Sequence, residues 1–176
     1  MKIDSIILGG GCFWCLDALY KRVEGITKIT SGYTGGENAN TNSIKTAPTY
    51  ESVCTGTTGH AEVVKLDFDP QVVSLEVLLR IFFEIHDPTT LNQQGGDVGT
   101  QYRSAIFYKD ENQKLLAEKV RSETQLNWKD PIVTQIAPLE HFYEAEEYHQ
   151  DYYAKNPNQP YCVAVISPKL EKFLKH

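Results

Sequence analysis

Strand-like and helix-like segments alternate through the first 109 residues in the order β-α-β-β-α-β, and this order restricts the chain to few folds. Short apolar or alternating runs typical of strands cover residues 5–8, 26–33, 60–69 and 103–108. Between them lie two amphipathic segments typical of helices. The same order defines the split βαβ, or ferredoxin-like, unit. We therefore predict an α+β fold with a mixed sheet, helices on one face and C-terminal extensions.

Residues that start and stop helices set the expected boundaries. Three glycines at 9–11 end the first strand, and the first helix begins at Cys12 and runs to residue 23. Ser74 and Asp110 can each cap a helix, and Pro88 ends the helix that Ser74 begins. The other predicted segments are a polar loop at 34–49, a glycine-rich loop at 91–101, a helix ending near 126, a strand at 132–137, an aromatic and acidic stretch at 142–153, and a tail.

The length of 176 residues predicts a single catalytic domain, residues 1–176. The net charge of −6 disfavours nucleic acids and anionic membranes as partners, since both attract basic surfaces. No apolar run approaches the ~20 residues that span a bilayer, and the first residues lack the apolar region of a signal peptide. Only four cysteines are present, which favours the cytoplasm, where thiols stay reduced.

Cys12 is the first candidate for chemistry, because it follows three glycines and opens a helix. A helix N-terminus presents free N–H groups and the positive end of the helix dipole. Both favour the thiolate, which is the reactive form of cysteine. The alternative is a buried structural cysteine. Glycines let the backbone approach a bound group closely, so the junction favours a nucleophile.

Cys15 lies one helical turn after Cys12 on the same helix face, a spacing that suits a disulfide. A C-x-x-C pair in such a protein indicates redox chemistry first and zinc second. Structural zinc needs four N or S ligands, and the other candidates, Cys54, His60 and Cys162, are single residues. The sequence therefore favours a redox pair, with an inert core cysteine as the alternative, and predicts no metal site.

Glu62 interrupts a strand face that otherwise carries Val64, Leu66 and Phe68. The carboxyl lies either at an exposed strand end or partly buried, and the pattern leaves both possibilities open. Burial would raise the pKa of this carboxyl and keep it protonated near neutral pH. A neutral carboxylic acid in an apolar pocket is a proton donor.

Aromatic residues beside Cys12 indicate an apolar slot. Phe13 fits the apolar stripe of the helix, so core packing is its expected role, whereas Trp14 falls one position off that stripe. Together they could wall a slot for a small hydrophobic group.

Loop residues supply further candidates. Tyr50, Tyr102 and Asp97 lie in or beside loops, and two tyrosines near one site could donate hydrogen bonds to an oxygen. No metal-ligand spacing connects the histidines expected to pack or to lie at the surface, which are His60, His86, His141 and His149. A solvated face is the expectation for the acidic cluster of Glu144, Glu146 and Glu147.

Several short motifs together resemble the peptide methionine sulfoxide reductase A family. In chain order they are GCFW at 11–14, GYTGG at 32–36, PTY at 48–50, TGHAE at 58–62, HDP at 86–88, DVGTQYRS at 97–104 and YHQDY at 148–152. The resemblance extends over roughly residues 5 to 163. No single motif decides it, but their order along the chain is highly specific.

The resemblance implies a role for each matching residue. Cys12 would be the nucleophile, and Glu62 would donate a proton to the sulfoxide oxygen. The substrate-binding residues implied are Phe13 and Trp14 for the sulfoxide methyl group, Tyr50 and Tyr102 for its oxygen, and Asp97 for the shape of the pocket. The family uses no metal or organic cofactor, acts on the S epimer in oxidised proteins, peptides or free methionine sulfoxide, and is recycled by thioredoxin.

The sequence departs from the family pattern around the resolving cysteine. Residue 15 is Cys where Gly is frequent, the loop at 36–48 looks longer than usual, and Gln-Pro replaces a common Gly within 156–162. No cysteine follows Cys162. Cys162 fits the resolving role by motif and Cys15 by proximity, and we favour Cys162. The role of Cys54 stays open, with inert packing as the default.

Two other functions compete with the reductase. A general dithiol–disulfide oxidoreductase would use Cys12 and Cys15 alone and would give no task to Glu62. A zinc-stabilised binding module would require a complete set of ligands around the same cysteines.

Overall fold

The computed structural model describes residues 2–36 and 47–175. Its strands are β1 (Asp4–Gly9), β2 (Ile26–Thr34), β3 (Ala61–Phe68), β4 (Gln93–Gln94), β5 (Asp97–Val98), β6 (Ala105–Tyr108), β7 (Gln135–Pro138) and β8 (Tyr143–Glu144). Its helices are α1 (Phe13–Tyr20), α2 (Tyr50–Cys54), α3 (Leu75–Ile85), α4 (Glu111–Gln125), α5 (Tyr152–Lys155) and α6 (Ser167–Leu174). In this described part of the chain, no helix is both long enough and apolar enough to cross a membrane.

Six strands form one mixed sheet in the order β7-β6-β1-β3-β2-β8. Strands β6 and β7 run parallel, and the other neighbouring pairs are antiparallel. Strand β3 is central and pairs on both sides, with Glu62 opposite Tyr33 of β2 and Val64 opposite Leu8 of β1. The predicted α+β fold with a mixed sheet is confirmed.

The main hydrophobic core lies between one face of the sheet and the helices. Buried residues of α1, α3, α4 and α6 join it, and its residues from β1 and β3 are Ile6, Leu8, Val64, Leu66 and Phe68. A smaller cluster covers the other face and consists of Ile7, Ala61, Val63, Ala105 and Phe107. The period-2 pattern therefore separates two buried faces of β3, and it assigns Glu62 to the face of the main core.

The predicted helix caps are confirmed. The Ser74 hydroxyl accepts the Val77 N–H at the start of α3, and the Asp110 carboxylate accepts the Gln113 N–H at the start of α4. Helix α1 is shorter than predicted and ends at Tyr20. Beyond it, the N–H groups of Arg22 and Val23 bond to carbonyls three residues back, so the chain turns before Gly25.

Two segments predicted as loop and tail contain regular structure. The glycine-rich loop holds the β4–β5 hairpin and a 3-10 turn at Thr100–Tyr102, and a π-helical turn at Cys162–Ile166 leads into α6. Such short elements have no sequence period and depend on distant contacts. For example, Gln94 exchanges two hydrogen bonds with the backbone of Asp87, at 2.9 and 3.0 Å. Within the predicted polar loop, residues 37–46 lie outside the described residues.

Candidate active site

Cys12 lies at the N-cap of α1, directly after the glycine loop. Gly11 has a φ of +91°, and a Cβ at this position would lie 2.7 Å from the Cγ of Gln94. The turn that presents Cys12 therefore needs glycine for both its conformation and its space. Cys12 is 8% exposed, and its carbonyl accepts the Cys15 N–H at 3.1 Å.

Glu62 is buried beside Cys12, so of the two possibilities left open by the sequence the structure selects burial. Its Oε1 accepts the N–H of Phe13 at 3.3 Å, while Oε2 has no hydrogen-bond partner among the described residues. Burial raises the pKa of Glu62 to about 8, the Phe13 N–H opposes this change, and nearby Asp97 and Cys15 add to it. At neutral pH the carboxyl therefore holds its proton.

The thiols of Cys12 and Cys15 interact across one helical turn. Burial is the main cause that raises the pKa of the Cys12 thiol, and Cys15 and Glu62 raise it further. A hydrogen bond from Cys12 is the main cause that lowers the pKa of the Cys15 thiol. The prediction that the helix start favours a Cys12 thiolate is wrong for this arrangement, because burial outweighs the nearby N–H groups. Within this pair, burial therefore favours the protonated form of Cys12.

Tyr50 and Tyr102 approach Glu62 from different elements. Tyr50 begins α2 and Tyr102 ends the 3-10 turn before β6, and both side chains are half-buried. Burial and then the Glu62 carboxyl raise the pKa of both phenols above their ordinary value. Both hydroxyls therefore remain hydrogen-bond donors beside the buried acid.

Asp97 is linked to the cysteine pair through Tyr161. The Tyr161 hydroxyl donates to Asp97 Oδ2 at 2.5 Å and lies 3.8 Å from the Cys15 Sγ. Asp97 also contributes to the raised pKa of Glu62. The structure thus brings Asp97 to the same site as Cys15 and Glu62. Tyr161 was not among the candidates from the sequence, although it precedes Cys162 in a segment that the motif analysis singled out.

Aromatic rings surround the start of α1. Phe13 is fully buried, and its ring lies 6.4 Å from the stacked ring of Tyr50. Trp14 is partly exposed and stacks on Tyr152, with ring centroids 3.7 Å apart and an interplanar angle of 6°. Trp14 therefore forms an accessible wall of the site, whereas Phe13 lies beneath Tyr50.

The prediction of a solvated acidic face for Glu144, Glu146 and Glu147 is wrong for Glu146. Its carboxylate accepts hydrogen bonds from the Tyr33 hydroxyl at 3.0 Å and the Tyr50 N–H at 3.1 Å. His149 is 1% exposed and accepts the Trp14 indole N–H on Nδ1 at 3.0 Å. No sequence signal separates Glu146 from its exposed neighbours, because its partners lie far away in the chain.

The remaining cysteines occupy different environments. Cys162 is fully buried in the main core, and burial and then Cys15 raise the pKa of its thiol. Cys54 is exposed at the end of α2. All four cysteines are free thiols. Among residues 2–36 and 47–175, no three His, Cys, Asp or Glu side chains are grouped to hold a metal ion, so the zinc-module alternative finds no ligand set there.

Comparisons with known proteins agree with this geometry. A family model described as peptide methionine sulfoxide reductase matches residues 4–176. The chain is 56% identical over 173 residues to peptide methionine sulfoxide reductase MsrA of Nautilia profundicola, covering 98% of this chain and 95% of that protein. It is 55% identical over 173 residues to the MsrA of Saccharolobus solfataricus, covering 98% and 94%.

Solved structures give the same result for the fold. Reduced Mxr1 from Saccharomyces cerevisiae superposes with a TM-score of 0.85 at 40% identity, covering 92% of this chain and 90% of that one. A structure of Mxr1 in complex with Trx2 superposes with a TM-score of 0.60 at 29% identity, covering 86% and 85%.

Proposed function

The chain belongs to the peptide methionine sulfoxide reductase family, and we propose that it reduces the S epimer of methionine sulfoxide, free or in proteins and peptides, with thioredoxin as reductant. The observation that carries this proposal is the Glu62 carboxyl. Its pKa is about 8, and its Oε1 lies 3.3 Å from the N–H of Phe13, the residue after Cys12. An acid and a sulfur nucleophile therefore meet at one place, as sulfoxide reduction requires.

The proton comes first, because a sulfoxide oxygen is a poor leaving group until it is protonated. Glu62 donates its proton to that oxygen while the Cys12 sulfur attacks the sulfoxide sulfur. The thiol proton of Cys12 passes to Glu62, which restores the carboxylic acid. The protonated oxygen is transferred to the Cys12 sulfur, which becomes a sulfenic acid, and methionine leaves. The methionine sulfur gains two electrons and the Cys12 sulfur loses two, so the step balances.

The aromatic and hydroxyl groups place the substrate. In the proposed complex, the Tyr50 and Tyr102 hydroxyls donate to the sulfoxide oxygen next to Glu62. Trp14 contacts the sulfoxide methyl group, with Phe13 completing the apolar floor below Tyr50. Asp97 shapes the site through its short hydrogen bond from Tyr161.

For recycling we propose a relay that uses both resolving candidates. The Cys15 thiol attacks the Cys12 sulfenic acid, which forms a Cys12–Cys15 disulfide and releases water. Cys162 then attacks the Cys15 sulfur, which restores the Cys12 thiol and leaves a Cys15–Cys162 disulfide for the thioredoxin dithiol to reduce. This order differs from direct resolution by Cys162. Its support is that Cys15 lies one helical turn after Cys12, with its N–H on the Cys12 carbonyl at 3.1 Å, and that Cys15 raises the pKa of the Cys162 thiol.

The second candidate function is the general dithiol–disulfide oxidoreductase. The observation in its favour is the lowered pKa of Cys15 beside Cys12, since such pairs exchange with protein disulfides. This function needs no proton from Glu62. It would be supported if the protein reduced a protein disulfide at a rate that Glu62→Gln left unchanged.

Dithiothreitol-driven reduction of a methionine sulfoxide peptide tests the proposed activity. We expect Cys12→Ser to abolish turnover and the matched variant Cys54→Ser to retain it, because only Cys12 attacks the substrate. Equal turnover in Cys12→Ser and the parent protein would contradict the proposal.

Mass spectrometry after one turnover without reductant tests the relay. We expect a Cys15–Cys162 disulfide in the parent protein and a trapped Cys12–Cys15 disulfide in Cys162→Ser. The relay would be contradicted if Cys15→Ser formed a Cys12–Cys162 disulfide as fast as the sulfenic acid disappears in the parent protein. That result would favour direct attack of Cys162 on the Cys12 sulfenic acid.

We also propose that the core is the split βαβ unit, that the chain is one catalytic domain, and that the protein works in the cytoplasm. The first is supported by the order β6-β1-β3-β2 with β1–α1–β2 and β3–α3–β6 connections. The second is supported by a main core that contains residues from β1 to α6. The third is supported by four free thiols.

A further inference from the structure

A cavity of about 860 Å³ lies between α3, the end of α4 and α6. Lys169 of α6 lines this cavity, together with Leu19 of α1 and Gln94 of β4. Gln94 lies against the turn that presents Cys12, since a Cβ at Gly11 would meet its Cγ at 2.7 Å. The cavity therefore connects α6 with the back of the catalytic turn.

The packing of α6 places Lys169 beside the helix that carries Cys15. The next residue, Leu170, is buried in the main core with Leu16 and Leu19, and α6 packs against α1. Lys169 itself is half-buried. Within residues 2–36 and 47–175, no carboxylate forms an ion pair with its ammonium. Its positive charge is therefore free to act on other groups near the cavity.

The charge of Lys169 acts on the Cys15 thiol. Cys12 is the largest cause that lowers the pKa of this thiol, burial opposes it, and Lys169 is the next cause that lowers it. Burial lowers the pKa of His86, another residue of the cavity, to about 4, and Lys169 adds to this change. The imidazole is therefore uncharged at neutral pH, and the favourable interaction of the ammonium is with the Cys15 thiolate.

A buried resolving thiol needs such a charge. Cys15 is 3% exposed, and burial disfavours the thiolate, which is the form that attacks. The Tyr161 hydroxyl lies 3.8 Å from the Cys15 sulfur and donates to the Asp97 carboxylate. Neither of these groups is a cation, and Asp97 raises the pKa of the thiol.

We propose that Lys169 is a positioning residue for recycling, whose ammonium acts through Cys15 by stabilising the thiolate that attacks the Cys12 sulfenic acid. The inference rests on the proposed function, because Cys15 has a sulfenic acid to attack only if Cys12 reduces a sulfoxide. In this step the two sulfurs bond, the S–O bond of Cys12 breaks, and the departing hydroxide takes up the proton lost by Cys15 to give water. In formal count the Cys15 sulfur loses one electron and the Cys12 sulfur gains it.

The pH dependence of this step follows from the groups around the thiol and the ammonium. Those that face the Cys15 thiol are Cys12, Glu62, Asp97, Tyr161 and Cys162. Those that share the cavity with Lys169 are Arg80, Glu84, His86, Asp87 and Lys172. Arg80 is paired with Glu76 and Glu123.

Alkylation of the reduced protein by iodoacetamide, resolved by residue with mass spectrometry, tests the effect on Cys15 without substrate. In the parent protein, the rate at Cys15 should rise with pH through a midpoint below the ordinary 9.0. Lys169→Met keeps an apolar stem and removes the charge, so it should slow this alkylation about threefold to tenfold below the midpoint. Lys169→Arg should restore the parent rate. The exposed Cys54 provides the internal control, and its rate should not change.

The lifetime of the Cys12 sulfenic acid in one turnover without reductant gives the second readout. Lys169→Met should prolong it about threefold to tenfold near neutral pH, and the rate at which the sulfenic acid forms should not change. Well above the midpoint, the variant should match or exceed the parent rate, because a thiolate of higher pKa is the better nucleophile. Lys172 lies three residues further along α6 and lines the same cavity, and Lys172→Met should keep the parent lifetime.

Two results would overturn the proposal. One is a parent pH profile in Lys169→Met, for both alkylation and lifetime. The other is an equal loss at every pH that Lys169→Arg does not restore, since this would indicate packing. Lys169→Gln is a second neutral variant and decides the question if Lys169→Met does not fold. A parent protein that reduces no sulfoxide would refute the proposed function, while the alkylation of Cys15 would still test the charge of Lys169.

Discussion

Replacing Glu62 by Gln should make the protein more stable and almost inactive. Gln is neutral at every pH, keeps an oxygen for the Phe13 N–H, and has nearly the same shape as the protonated carboxyl. The parent side chain has an ordinary pKa of 4.5 that burial raises to about 8. Because the folded protein holds this proton more tightly than the unfolded chain does, the parent loses stability as the pH rises from 4.5 to 8.

The size of the effect follows from this difference in pKa. Each pH unit above 4.5 and below 8 costs the parent about 1.4 kcal/mol in the free energy of unfolding. Glu62→Gln should therefore stabilise the fold by about 3 kcal/mol at about pH 7, by under ~1 kcal/mol at about pH 5, and by a constant ~5 kcal/mol above about pH 8. In the same variant, the rate of sulfoxide reduction should fall about 10²- to 10⁴-fold, since a general acid contributes that much.

Urea unfolding at several pH values, in a reducing buffer, measures the stability difference, and peptide reduction measures the rate. The exposed carboxyl of Glu144 provides the matched control, and Glu144→Gln should change neither quantity. A stability difference that stays constant with pH would show that Glu62 is not a buried acid. Parent-like turnover in Glu62→Gln would show that it is not the proton donor.

Three further changes have definite expected outcomes. Gly11→Ala should destabilise the fold by about 1–3 kcal/mol and misplace Cys12, because the added Cβ would lie 2.7 Å from the Cγ of Gln94 and the φ of residue 11 is positive. Urea unfolding measures the loss of stability and peptide reduction measures the loss of turnover. A variant as stable as the parent protein would contradict this expectation. Tyr50→Phe combined with Tyr102→Phe should lower the rate at which the Cys12 sulfenic acid forms in the first turnover by about tenfold or more, since both donors to the sulfoxide oxygen are lost. An unchanged rate would show that the two tyrosines do not bind that oxygen. Asp17→Asn should stabilise the fold by up to about 3 kcal/mol near neutral pH, because burial raises the pKa of Asp17 from 3.8 to about 6. This gain should fade as the pH falls toward 3.8, and a gain that persisted there would contradict the buried charge.

Local sequence signals were sufficient for the main elements of the fold. Ser74 and Asp110 cap their helices as their positions predict, because capping needs only neighbours three residues away. The alternation in β3 assigned Glu62 to the correct face, since successive strand residues point to opposite sides. The boundaries of α1 and the β4–β5 hairpin were less predictable, because their ends depend on contacts with other parts of the chain.

From the residues themselves, the site was most predictable where a residue type was unusual for its position. Cys12 after three glycines and Glu62 on an apolar face are such anomalies, and the sequence identified both. It could not decide that Glu62 is buried, because this depends on how α1 lies against β3. It also assigned Cys12 a low pKa from the helix start alone, whereas the folded environment raises that pKa through burial.

The sequence alone therefore determined the main strands and helices, the apolar face of each and the residues that carry reactive groups, because these follow from neighbours within a few positions. Only the tertiary structure decided the protonation of Glu62 and the roles of Glu146, His149 and Tyr161. Their partners lie 64 to 135 positions away, and a hydrogen bond over that separation exists only after the sheet and helices have packed. Packing also removes the water that would otherwise set each pKa, so the chemistry of the site is a property of the fold.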